Sequence, residues 1–151
     1  MRKSLALLTM AILAMVMFSC KSNKSESEEA SNSSVPSGYK MMENGVYYKD
    51  VKMGAGKTVE KGDKLEVHYV GTFPDGAKFD SSKDRSKTFE FTNGQNGIIE
   101  GWSVGTVGMK EGGIRKIILE PSMAYGNRKV GTIPPNSTLH FEIELIDIKS
   151  K

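Results

Sequence analysis

Apolar and polar residues alternate along most of the chain beyond residue 39. In Lys64 to Phe73 (KLEVHYVGTF), Leu65, Val67 and Tyr69 fall on one face and Glu66 and His68 on the other, the period of a half-buried strand. Pro74-Asp75-Gly76 closes that strand with a strong turn signal. Thr88 to Thr92 (TFEFT) alternates again, and Glu43 to Met53 (ENGVYYKDVKM) is rich in strand-forming residues. Leu139, Phe141, Ile143 and Leu145 alternate with His140, Glu142 and Glu144, which predicts a last strand. Ile114 to Leu119 is an apolar stretch interrupted by Arg115 and Lys116. Ile98, Ile99, Trp102 and Val107 have a spacing that suits a short helix, although Gly101 and Gly105 lower its propensity. Strands dominate and one helix is credible. The economical fold is α+β: one antiparallel β-sheet wrapped around one short α-helix.

The amino-terminal part follows a different pattern. Arg2 and Lys3 precede an uncharged apolar run from Leu5 to Phe18. As a helix that run spans about 21 Å, short of a hydrocarbon core of about 30 Å, so residues 1–19 read as a signal peptide rather than a permanent span. Ser19-Cys20 follows directly, then Lys21, Ser22 and Asn23. This resembles a bacterial lipoprotein signal, with Met17 where such signals usually carry Leu. The resemblance implies cleavage before Cys20, lipid attached to Cys20, and export to a membrane-anchored place in the cell envelope. An ordinary secreted protein with an incidental cysteine, or an uncleaved anchor, is the other reading. Lys21 to Gly38 (KSNKSESEEASNSSVPSG) has almost no large apolar residue. Residues 20–38 are therefore expected to be a flexible tether, and residues 39–151 one folded domain.

Composition narrows the chemistry. The chain has 151 residues and a formal net charge of +3, with lysines and acids interspersed and no basic block, so nucleic acid is not an expected partner. One cysteine forbids an internal disulfide, and its place outside the domain removes a cysteine nucleophile. Metal-ligand spacings and nucleotide-binding glycine fingerprints are absent from the sequence, so no metal or cofactor is expected. His68 and His140 both fall on polar strand faces and read as solvated rather than catalytic. What the domain does carry is rings: Tyr69, Phe79, Phe89, Phe91, Trp102, Tyr125 and Phe141. Any one of them alone reads as core. Together they are many for one small core, and several are expected to line a concave apolar site.

The order of motifs strongly resembles the FKBP-type peptidyl-prolyl isomerases. Val67-His68-Tyr69-Val70-Gly71 is similar to that family's VHY-x-G strand, and Asp75-Gly76-Ala77-Lys78-Phe79-Asp80-Ser81-Ser82 to its DG-x-x-FDSS segment. Phe89 and Phe91 match the paired aromatics of its next strand. Ile98-Ile99-Glu100-Gly101-Trp102 matches the start of its only helix, and Val107 to Gly113 (VGMKEGG) its end. Tyr125-Gly126 and Ile133 to Phe141 (IPPNSTLHF) are similar to its AYG turn and IPP-x-x-x-L-x-F ending. The match covers nearly all of residues 39–151. It implies a pocket with Trp102 as the floor under a substrate proline, and Tyr69, Phe79, Phe89, Ile98, Ile99 and Phe141 as walls. It implies further that Tyr125 directs its hydroxyl at a substrate carbonyl, that Asp80 supplies a polar rim group, and that Ile133 comes from the loop over the mouth. In role terms, Tyr69, Asp80, Tyr125 and Phe141 are the catalytic candidates and the others bind substrate. Gly126 to Ile133 (GNRKVGTI) departs from the family by being about a residue short, and carries Arg128 and Lys129.

The resemblance implies proline-containing polypeptides as partners, unfolded exported proteins in particular, and macrolides of the tacrolimus type as inhibitors. It also explains the missing nucleophile, because rotation about an X–Pro bond makes and breaks no covalent bond. Two other functions use the same pocket: a module that binds proline segments with little turnover, and a holdase chaperone. Exchange rates on a proline peptide separate the first from an enzyme. Aggregation suppression that survives loss of the pocket rings would favour the second.

Overall fold

The computed structural model describes residues 35–149. The expected signal segment, Cys20 and the part of the tether up to residue 34 lie outside the described residues.

Strand β3 (Lys64–Thr72) is the axis of the sheet. Its alternation is the predicted one: Leu65, Val67 and Tyr69 are buried, and Glu66 and His68 are half-buried. Strand β7 (Leu139–Lys149) runs antiparallel along the whole of β3, from His140 opposite Thr72 to Lys149 opposite Lys64. Between Glu66 and Val67 the register shifts, leaving Ile146 as an extra residue on β7. That bulge moves the apolar phase of β7 from Leu145 to Ile148 and turns Ile146 out to solvent.

Two short strands share the other edge of β3. Strand β5 (Phe89–Thr92) pairs with Lys64 to Val67, and β4 (Lys78–Ser81) with Val70 to Thr72. Between them the chain leaves the sheet through a 3₁₀ turn at Lys83–Arg85. Beyond β7 follow β6 (Ile114–Leu119), β2 (Val46–Lys52) and β1 (Lys40–Met41). All neighbouring strands are antiparallel.

Helix α1 (Glu100–Thr106) is the one α-helix among the described residues, and it lies against the sheet. A Cβ added at Gly101 would stand 2.4 Å from Leu119 Cδ2, and one at Gly105 3.1 Å from Ile117 Cγ2. Glycine in a helix costs about 0.5–1 kcal/mol relative to alanine. Here it lets the helix backbone rest directly on β6. The two residues that weaken the helix as a sequence are those that allow it to pack. Val46, Leu65, Val67, Ile117, Leu119, Leu139, Ile143 and Leu145 form the buried centre on this face.

Arg115 is more than an interruption in an apolar run. Its side chain is 5% exposed and is held on several sides. Nη1 donates to the carbonyls of Gly105 and Val107, both at 3.0 Å, and Nε donates to Asp50 Oδ1 at 2.7 Å. The guanidinium also lies 4.6 Å from the centroid of the Tyr48 ring. Arg115 thus satisfies carbonyls that the last turn of a helix leaves without partners, and ties that turn to β6 and β2. Lys116, the next residue, faces outward and pairs with Glu142 at 3.5 Å.

Candidate active site

The site begins where β3 loses one partner strand and gains another. Tyr69 sits between the β5 pairing, which ends at Val67, and the β4 pairing, which begins at Val70. Its backbone stays satisfied, because Ser82 N donates to its carbonyl at 3.1 Å and its own N–H donates to Ser82 Oγ at 2.9 Å. Its ring crosses towards α1, meeting Trp102 at 5.1 Å between centroids with the planes 80° apart.

Trp102, in the first turn of α1, is the hub of the rings. It makes edge-to-face contacts with Phe89 at 5.8 Å, Phe91 at 5.3 Å and Phe141 at 5.3 Å as well. Such contacts contribute about 0.5–1.5 kcal/mol each beyond their area. Trp102 is only 3% exposed, and its Nε1 is the sole buried side-chain polar atom without a hydrogen-bond partner among the described residues. Phe79 extends the wall from β4, with its ring 5.6 Å from that of Phe141. Room for both rings comes from Gly71, where a Cβ would stand 2.6 Å from Phe79 and 3.0 Å from Phe141.

These rings enclose a cavity of about 720 Å³. Tyr69, Phe79, Phe89, Trp102 and Phe141 line it, and so do Ile98 and Ile99 ahead of the helix, Asp80 on β4, and Tyr125 and Ile133 on the segment before β7. Every domain residue that the sequence nominated is brought to this one hollow. Phe91 packs against Trp102 without reaching it.

One wall is polar and was only partly foreseen. Tyr69 donates its hydroxyl to Asp80, and Arg85 donates Nη1 to Asp80 and Nη2 to Tyr69 Oη, the latter at 2.9 Å. Ser81 N donates at 2.8 Å to Asp80 Oδ1, the oxygen that also accepts from Arg85, while Tyr69 donates to Oδ2. Partial burial alone would raise the Asp80 pKa, but the hydrogen bonds from Tyr69 and Arg85 outweigh it and hold the carboxyl below its ordinary value. Burial, then the Asp80 hydrogen bond, push the Tyr69 hydroxyl above the usual phenol value. Both groups thus keep one protonation state, carboxylate and phenol, through neutral pH. Burial likewise raises the Tyr125 pKa, with Asp80 adding to it and Arg128 opposing. The Tyr125 hydroxyl makes no hydrogen bond among the described residues.

Sequence reasoning did not nominate Arg85 or Glu100, and it noted Arg128 and the Val130–Thr132 segment only as parts of a loop that departs from the family; all are close to or line the hollow. Arg85 lies in a charged stretch (KDR) whose pattern does not signal a guanidinium folded back onto the preceding strands. The histidines do not reach the cavity. Both are half-buried rather than solvated: His68 Nδ1 lies 3.0 Å from Ser82 Oγ, and burial lowers the His140 pKa. Among the described residues no group of three His, Cys, Asp or Glu side chains is placed to hold a metal ion.

Comparison with known proteins gives one answer. A family model described as FKBP-type peptidyl-prolyl cis-trans isomerase matches residues 55–146. Peptidyl-prolyl cis-trans isomerase Fkbp12 of Drosophila melanogaster is 47% identical over 107 residues, covering 70% of this chain and 99% of its own. An FK506-binding protein of Neisseria meningitidis serogroup A is 46% identical over 100 residues, 66% of this chain and 92% of its own. The crystal structure of FkpA from Escherichia coli superposes with a TM-score of 0.70 at 38% identity, covering 78% of this chain and 54% of that one.

Proposed function

This chain belongs to the FKBP-type peptidyl-prolyl cis-trans isomerases, and from that membership we propose that the ring-lined cavity is where it turns X–Pro bonds, by binding alone and without a covalent step. The observation that carries this reading is a hollow of about 720 Å³ lined by Trp102 and by the rings of Tyr69, Phe79, Phe89, Tyr125 and Phe141. That volume lies within the roughly 300–1,000 Å³ usual for ligand sites.

The chemistry asks for little else. Twisting a peptide bond costs about 18–20 kcal/mol because resonance is lost, while the two X–Pro isomers differ by only about 0.5–1 kcal/mol. A catalyst must therefore lower the barrier and leave the equilibrium alone. Each 1.36 kcal/mol removed is about tenfold in rate. The planar amide separates charge between oxygen and nitrogen, and the twisted one less so. Moving the bond from water into a cage of rings therefore favours the twisted form. A cage shaped to the twisted geometry adds differential binding.

In this reading Trp102 is the floor for the proline ring. Phe79, Phe89, Ile98, Ile99 and Ile133 hold its flanks, with Phe141 and Tyr69 facing the rotating bond. The unpaired Tyr125 hydroxyl holds one substrate carbonyl, so that only one side of the bond turns. Asp80, held by hydrogen bonds from Tyr69 and Arg85, presents a carboxylate at the rim. Tacrolimus-type macrolides compete for the same floor.

We propose further that the clients are newly exported proteins, since proline isomerisation is a slow folding step and the amino terminus has the pattern of a lipoprotein signal. Cys20 is the proposed anchor. Two measurements test these statements separately. Two-dimensional NMR exchange on a proline peptide reports the rate at the bond. Exchange that stays at the uncatalysed rate with saturating protein would discard the active-site reading. For the anchor, Cys20→Ala is expected to abolish lipid labelling and release the domain from membranes, and unchanged membrane association would refute it.

A further inference from the structure

The cations of the sheet surface are largely matched. Lys64, Lys78, Lys83, Arg85 and Lys116 each stand within ion-pair distance of a carboxylate. Arg128 does not, although it lines the active-site cavity. The loop that carries it is tied down. Arg128 N donates to Tyr125 O at 3.2 Å, Val130 and Ile133 exchange backbone hydrogen bonds, and Asn136 N donates to Gly126 O at 2.7 Å. The guanidinium is thus a charge presented at the mouth of a ring-lined hollow, exposed and without a partner among the described residues.

The acids lining the cavity do not cancel it. Asp80 is engaged by Tyr69, Arg85 and Ser81 N. Glu100, at the start of α1, also lines the cavity, is exposed, and is in no ion pair, so it and Arg128 are not paired with each other. The mouth therefore carries separate charges of both signs. Arg128 and Tyr125 line the same cavity, three residues apart on one loop whose Arg128 N donates to Tyr125 O, so the cation shares a wall with the hydroxyl assigned to a substrate carbonyl. Fields at the rim of a low-dielectric cleft are focused rather than dispersed.

We propose that Arg128 makes this isomerase selective for prolyl segments that carry a carboxylate in the residue next to the proline. The inference rests on the reading of the cavity as the substrate site. The guanidinium accepts the carboxylate of Asp or Glu in a charge-assisted hydrogen bond while the proline ring sits on Trp102. Glu100 discourages a second acid and tolerates a base at its own part of the rim. The alternative, that Arg128 is a solvated surface charge with no role, predicts no side-chain preference.

The test uses tetrapeptides with Glu, Gln or Lys immediately before proline, a second series with the same residues immediately after it, and an Ala reference. Each is measured for kcat/KM by NMR exchange or a protease-coupled assay. Wild-type protein is expected to favour Glu over Gln in one series by about fivefold at low salt, falling towards one near about 0.5 M salt as screening grows. In Arg128→Gln the Glu/Gln ratio is expected to collapse to about one, and in Arg128→Glu the Lys peptide is expected to lead. In Glu100→Gln the Glu/Gln ratio is expected to rise. Because each ratio is taken within one protein, a partly unfolded variant does not distort it. A wild-type ratio near one in both series, or a ratio that survives Arg128→Gln, would overturn the proposal while leaving the isomerase site intact. Failure to accelerate even the Ala peptide would instead sink the reading of the site, and this proposal with it.

Discussion

Arg115 is the residue whose loss should reveal how the floor of the site is held. Consider Arg115→Met, which keeps much of the stem and removes the guanidinium. The structure gives that group two hydrogen bonds to carbonyls ending α1, and two to Asp50 at 2.7 and 3.3 Å. Breaking a fully buried ion pair costs about 3–5 kcal/mol. Here Asp50 is 26% exposed and Val107 is exposed, so water recovers part of the loss. Gly105 is buried, and its stranded carbonyl costs about 1–3 kcal/mol. A net loss of about 2–4 kcal/mol follows. For a domain of this size that lowers Tm by roughly 10 °C, taking about 4 °C per kcal/mol. Urea unfolding should show a lower midpoint at unchanged slope. A double-mutant cycle with Asp50→Ala should return a coupling of at least about 1 kcal/mol. Lys116→Met, one residue along and outward-facing, is the control and should stay within about 0.5 kcal/mol of wild type. If Arg115→Met behaves like that control, or the cycle shows no coupling, the clamp is a geometric accident and the reasoning fails.

Three other outcomes are expected. Gly101→Ala should destabilise by about 1–3 kcal/mol despite the helical preference of alanine, because its Cβ would meet both Leu119 methyls and the Met123 carbonyl; a midpoint that rises in urea would contradict the close packing. Tyr125→Phe should lower kcat/KM about three- to tenfold, the worth of one hydrogen bond, with an unchanged urea midpoint; full activity would remove the carbonyl contact. His140, held between Thr72 and Ile118 and sharing a groove with Tyr39, Lys116 and Glu142, has its folded-state pKa lowered by burial below the unfolded value near ~6.5. Between the two values the unfolded chain holds the extra proton, so stability is complete above about pH 6.5 and declines as the pH falls below it; melts of wild type and His140→Gln at pH 7.5 and 5.5 should differ in slope, and identical slopes would count against burial of the ring.

Strand period was legible because it is local. Leu65, Val67 and Tyr69 on β3, and Leu139, Phe141, Ile143 and Leu145 on β7, need only their neighbours to be read correctly. The bulge at Ile146 was not legible, since a phase shift of one residue is fixed by the partner strand and leaves no mark in composition. Arg115 was read as an interruption for the same kind of reason. Its partners, Asp50 on β2 and two helix-end carbonyls, are distant in sequence or belong to the backbone. The cavity is a third case. Alternation turns Tyr69 and Phe141 inward but does not distinguish a ring in solid core from a ring in a wall. Resemblance to a family, not periodicity, nominated the cavity residues, and the structure gathers them around one hollow. Arg85 was outside both kinds of reasoning, because it enters the site through a turn, and Glu100 was read only as part of a helix-start motif.

A helix of seven residues is too short to be stable on its own, so something outside it must fix the tryptophan it carries. Three independent restraints do so. Gly101 and Gly105 seat one face on Leu119 and Ile117. Asn93 Nδ2, at the end of β5, donates to Ser103 O at 2.8 Å and to Thr106 Oγ1 at 2.9 Å, and Thr106 in turn donates to Trp102 O at 2.8 Å. Arg115 holds the last turn. If catalysis comes from a cage matched to a twisted bond, its rate depends on where the floor stands, and a displacement of about 1 Å can cost about a hundredfold. Loss of any restraint should therefore lower stability and turnover together, measured where the protein is still fully folded. Loss of the Tyr125 hydroxyl, which supports nothing, should lower turnover alone. An isomerase that worked mainly by excluding water would separate these classes differently: a loosened floor would cost stability and leave the rate of the folded fraction nearly untouched. Plotting kcat/KM against urea midpoint for Gly101→Ala, Asn93→Ala, Arg115→Met and Tyr125→Phe distinguishes the two, because only a shape-matched cage places the first three on one line with wild type, along which kcat/KM drops as the midpoint drops, with Tyr125→Phe below that line; water exclusion leaves the first three level with wild type.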